Sequence, residues 1–96
     1  MNNLKIYLKN FRRANGTRLT DAAIRTRLTA ARAAVRHLGM PIEEAVRNDE
    51  TMFRALTTLV AHPEACAAKE SNALRHAWMM THGTKFPRLR NYKVTA

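Results

Sequence analysis

The sequence predicts an all-α protein, a compact bundle of four to five helices, and three observations carry that reading. Three glycines and three prolines are all that punctuate 96 residues, and the runs between them are rich in alanine, the best helix former. Apolar residues recur at i, i+3, i+4 and i+7 rather than in alternation, the mark of one buried helix face. The hydrophobic fraction of 46% is that of a globular chain with one modest core. No stretch reads as a convincing strand, an internal repeat or a low-complexity tract.

The first helix is expected over Asn3 to Ala14, where Leu4, Tyr7, Leu8 and Phe11 make a single stripe. Asn15-Gly16 would stop it, since glycine takes the left-handed conformation that follows many helix ends. A second helix begins at Thr20 or Asp21, either of which can cap it, and closes at Gly39. Ile24, Leu28, Ala31, Val35 and Leu38 follow its period. At about 100° per residue, Arg25, Arg32 and Arg36 form a second stripe with Thr29 among them, while Arg27 points elsewhere. "GMPIEEAV" reads as a turn into a short third helix with Pro41 at its start and Glu43 and Glu44 favourably near the positive dipole end. A fourth helix, capped by Asn48 or Asp49, turns Phe53, Leu56, Leu59 and Val60 inward and ends at His62-Pro63. The fifth is expected over Glu64 to His82 with Ala67, Leu74, Trp78 and Thr81 inside and Ala77 alongside, stopped by Gly83. Pro87 forbids helix through the middle of the following basic segment, where Phe86 and Leu89 are placed to fold back while Arg88, Arg90 and Lys93 stay free. Residues 1–83 thus read as a single helical domain and 84–96 as a basic C-terminal tail.

Charge is the outlier. Seventeen Lys and Arg against seven Asp and Glu give a net +10, and a field of that sign draws polyanions. Twelve of the cations are arginine, whose planar fork matches phosphate and guanine edges better than lysine does. A solvated surface, or a genome that prefers arginine codons, would look similar. The candidate contacts to nucleic acid are Arg25, Thr29, Arg32 and Arg36 on the second helix, Ser71, Asn72 and Arg75 on the fifth, and Arg88 and Arg90 beyond it.

Other chemistries find little support. Cys66 is the one cysteine, so neither an internal disulfide nor a thiolate metal site can form, and a reducing, cytoplasmic setting fits. His37, His62, His76 and His82 lie on separate segments or faces without ligand spacing, and they read as helix-end or surface histidines. No metal or other cofactor is expected. The chain carries no phosphate-binding glycine loop, nucleophile motif or HExxH; Glu43-Glu44 cannot face one site from a helix, and Tyr92 sits in the tail without a catalytic neighbourhood. The protein is therefore expected not to be an enzyme. "MNNLKIYLKN" lacks the apolar core of a signal peptide, and no run reaches the roughly 18 apolar residues of a membrane span. Single-stranded RNA is disfavoured by the scarcity of aromatic platforms.

The parts also fall in a particular order. Thr20, Arg27, Leu28, Val35, Leu38 and Gly39 make a "T…R…L…V..LG" helix. Asp49, Ala55, Leu56 and Leu59 then fit a "D…AL..L" helix, and Lys69, Asn72, Ala73, Leu74, Arg75, His76, Trp78, Gly83 and Pro87 fit "K..NALRH.W…G…P". From Thr20 to Pro87 the chain resembles the N-terminal SAM-like, or core-binding, domain of phage integrases and related tyrosine recombinases. The resemblance implies a four-helix bundle that lies against duplex DNA through its second and fifth helices, in the setting of DNA integration and recombination. The family's catalytic domain, with its Arg, His and Tyr set, has no counterpart in these residues, so strand cleavage is not implied. Double-stranded DNA is the expected partner. The competing expectation is a small basic phage or mobile-element protein that binds an acidic protein, with Met79, Met80 and the Tyr7 side of the first helix supplying apolar contacts.

Overall fold

The computed structural model describes residues 2–89 and is an all-α bundle: α1 Asn2–Asn10, α2 Asp21–Leu38, α3 Ile42–Ala45, α4 Asp49–Ala61 and α5 Ala67–His82. The helix ends follow from local chemistry. Thr20 caps α2 by accepting from the Ala23 N–H at 3.1 Å, and Gly39, at φ +69°, closes it by donating to the Val35 carbonyl. α4 opens on a reciprocal pair: the Asn48 carboxamide accepts from the Thr51 N–H while the Thr51 hydroxyl accepts from the Asn48 N–H, two otherwise orphaned donors satisfied at once.

α2 and α5 form the spine and pack more extensively on each other than any other pair. Small side chains let them approach closely: Ala30, Ala31 and Ala34 on α2 and Ala73 and Ala77 on α5 are all buried. α1 lies across both, and α3 and α4 close the remaining sides. The core between them is built from Leu4, Leu8, Ile24, Leu28, Met52, Leu56, Leu59, Leu74 and Trp78. Trp78 is flanked by the His82 ring at 3.8 Å and the Phe86 ring at 4.8 Å between centroids.

Several expectations are corrected. The first helix stops at Asn10, not Ala14, because the Asn10 amide turns back to the Ile6 carbonyl and the next residues form a hairpin. Arg13 N–H donates to Thr17 O and Gly16 N–H to Arg13 O, each at 2.8 Å, and Arg12 pairs with Arg18 in an antiparallel bridge. Asn15-Gly16, read as a helix stop, is the tip of this turn, with Gly16 at φ +84° and the Asn15 carboxamide accepting from both the N–H and the hydroxyl of Thr17. α5 begins at Ala67 rather than Glu64, since residues 62–66 are held in a turn that opens with His62-Pro63. Val60 faces outward, 61% exposed, and Thr81 is exposed with its hydroxyl bonded to the Ala77 carbonyl. Phe86 does return to the core, at 4% exposure, and Leu89 packs beside it.

Candidate nucleic-acid interface

On α2, Arg25, Thr29, Arg32 and Arg36 are all exposed, and the helical period puts them on one stripe. None of the three arginines is ion-paired with a carboxylate among the described residues. Among these residues Glu50 pairs with Arg54 and the Glu70 carboxylate bonds His37, so the stripe carries uncompensated positive charge. One edge borders a groove of about 450 Å³ between α2 and the start of α5, where Arg25 and Thr29 stand opposite Lys69. Ser71 is half-buried and lines neither this groove nor the cleft described next.

The second group gathers elsewhere. Asn72, Arg75 and Arg88 line a cleft of about 420 Å³ between α1, α5 and the segment after α5, together with Lys85, His76, Met79 and the rings of Tyr7, Phe11 and Phe86. Arg75 is half-buried and already engaged: its Nη1 donates to the carbonyls of Phe86 at 2.8 Å and Pro87 at 3.2 Å, and its guanidinium carbon lies 5.9 Å from the Phe86 ring centroid. Burial, and secondarily the nearby Arg88 guanidinium, lower its pKa. Arg75 therefore fastens residues 86 and 87 to α5 in addition to facing the cleft. Arg88 is exposed; Arg90, together with Tyr92 and Lys93, lies outside the described residues.

The histidines are more structural than their scattered positions implied. His37 Nδ1 meets the Glu70 carboxylate at 2.6 Å, the other oxygen of Glu70 accepts from the Cys66 N–H at 2.7 Å, and the His62 ring packs on His37. Glu70, 2% exposed, thereby ties the start of α5 to the end of α2. His82 contacts the Val46 carbonyl at 2.6 Å. His76 accepts from Arg27 Nε at 3.4 Å and meets the Phe11 ring edge-on at 4.9 Å. Burial, reinforced by the Arg27 charge, lowers its pKa and so favours the neutral ring. Arg27, which pointed away from the α2 stripe, turns inward and also donates to the Ala23 carbonyl. Among the described residues no three His, Cys, Asp or Glu side chains converge on a point where a metal ion would sit, and no helix is long and apolar enough to cross a membrane.

The hairpin adds basic residues outside the candidate set, although Arg12 and Arg13 already lie off the first apolar stripe, toward solvent or a ligand. Arg12, Arg13 and Arg18 are exposed on it, and the bridge sets Arg12 and Arg18 side by side, an arrangement that costs free energy when nothing anionic lies between. Asn-Gly was the available signal, since this dipeptide is a strong marker of tight hairpins. Lys69 and Lys85 stand in the walls of the two clefts; Lys69 opens the "K..NALRH" pattern but was not selected as a contact, and Lys85 belongs to no pattern in the chain. Comparison with known protein families, curated proteins and solved structures finds no match to this chain.

Proposed function

We propose that this chain is a non-catalytic helical domain that binds duplex DNA, chiefly through phosphates, in the manner of the integrase core-binding domains it resembles. The observation that carries the proposal is the α2 stripe, three exposed arginines with no acidic partner. At 1.5 Å per residue the span from Arg25 to Arg36 is about 16 Å, enough to bridge the roughly 12 Å major groove between phosphates of the two strands. Contacts of this kind position a protein on the duplex, and sequence is read only where a guanidinium reaches a base edge.

Replacing Arg32 and Arg36 together by alanine is expected to weaken binding to all duplexes alike and to flatten the salt dependence by about one unit per lost phosphate contact. Salt-dependent anisotropy titrations measure this, and an unchanged slope would remove α2 from the interface. A second reading, capture of an acidic protein, draws on Ile6 and Val60, the large apolar side chains left exposed among the described residues. Nuclease treatment during a pull-down separates the two, because a protein partner survives it and a DNA complex does not.

A further inference from the structure

The cleft between α1 and α5 joins two kinds of surface that the α2 stripe keeps apart. One wall is aromatic and apolar. Tyr7, Phe11 and Met79 are each half-buried, and the rings of Tyr7, Phe11 and His76 touch one another, with centroids between 4.9 and 6.4 Å apart. The rim is cationic: Lys85 and Arg88 are exposed, and Arg75 lies at the same opening. No acid lines the cleft, and the exposed Asn72 sets a carboxamide beside the rings. The volume, about 420 Å³, falls at the small end of the range for ligand sites.

We infer that this cleft binds one unpaired nucleotide, its base against Tyr7, Phe11 and Met79 and its phosphate between Lys85 and Arg88. Each part of such a ligand meets the surface chemistry it needs. A base offers a π-face to the aromatic wall, an interaction tolerant of base identity. The Asn72 carboxamide has a donor and an acceptor to offer a base edge. The phosphate takes charge-assisted bonds from the rim and offsets the like charges of Lys85, Arg88 and Arg75 gathered there. Tyr7 and Phe11, two of the six aromatic residues of this chain, thus meet in one cleft, where they supply a local stacking surface that the composition as a whole lacks. The inference adds an unpaired nucleotide to the duplex reading and does not depend on it.

The test is an amide NMR titration of the whole chain with deoxyadenosine monophosphate, compared with deoxyadenosine and with inorganic phosphate. Saturable shifts centred on Phe11, Asn72, His76 and Met79 are expected with the nucleotide, at an affinity about tenfold or more above that of either fragment. Asn72→Asp keeps the shape of an exposed side chain and adds a negative charge inside the cleft, so it should abolish those shifts while leaving the rest of the spectrum folded. Shifts from inorganic phosphate as strong as those from the nucleotide, or nucleotide binding unaffected by Asn72→Asp, would overturn the inference, as would the absence of shifts at millimolar nucleotide. None of these results depends on whether duplex DNA binds.

Discussion

His76 shows how a single side chain couples packing to pH. Its ring fills the space between α1 and α5 against Phe11, and it accepts a hydrogen bond from Arg27, which only the neutral ring can do. Desolvation and the neighbouring guanidinium both lower its pKa in the folded protein. The unfolded chain therefore binds a proton first as pH falls below about 6.5, and this residue withdraws stability from that pH downward until the folded form also protonates. His76→Gln retains a polar side chain but has nothing to protonate. Urea denaturation at pH 7.5 and pH 5 should show the wild type losing more stability on acidification than the variant; equal losses would mean that His76 does not titrate across that window. Arg75 carries a different lesson. Its bonds to the Phe86 and Pro87 carbonyls hold a buried aromatic in the core, so Arg75→Ala is expected to cost about 1–3 kcal/mol of stability, measurable by the same denaturation. A loss of DNA binding in that variant would not by itself place Arg75 on the phosphate backbone.

At the scale of elements, the hairpin between α1 and α2 separates binding from stability. The bridge puts Arg12 opposite Arg18, with Arg12 Nη1 drawn over the turn to the Gly16 carbonyl at 3.4 Å. Like charges in that register destabilise, and an opposite pair stabilises by about 0.2–1 kcal/mol. Arg18→Glu should therefore raise the melting temperature slightly while weakening binding to DNA, a combination that a purely structural role would not produce. A fall in both would mean that Arg18 serves the fold. The hairpin also marks where the chain is hard to read. α2 and α4 were legible because their caps are written in one or two residues, Thr20, Asn48 and Gly39, and their apolar periods run for several turns. The stretch after Asn10 continues the α1 stripe through Phe11, so periodicity favoured more helix. What decides against it is a set of short-range hydrogen bonds around Asn15, Gly16 and Thr17 that no period records. The late start of α5 has the same origin, the turn opened by His62-Pro63.

Across the whole molecule, the sign and scale of the charge were plain in the sequence, and so was the α2 stripe, since both follow from counting and from 3.6 residues per turn. The second cluster was only partly legible. Asn72, Arg75 and Arg88 could be selected one by one, but their meeting with Tyr7, Phe11 and Lys85 in one cleft depends on how α1 crosses α5 and on the return of Phe86 to the core. The buried bond between His37 and Glu70 joins residues from two helices and was invisible for the same reason. These arrangements place basic residues on α2, on the hairpin and around the α1–α5 cleft, with the seven acids leaving the α2 stripe uncompensated. We propose that this positive surface meets the phosphates of duplex DNA. The most direct test is fluorescence anisotropy of a labelled random duplex of roughly two helical turns, titrated with the protein at several salt concentrations. Binding in the micromolar range is expected, with a log–log salt slope of about −3 or steeper, the value for the three α2 arginines alone at close to one counterion per phosphate contact. No binding at low salt, or binding that is indifferent to salt, would contradict it and leave the basic face to an acidic protein.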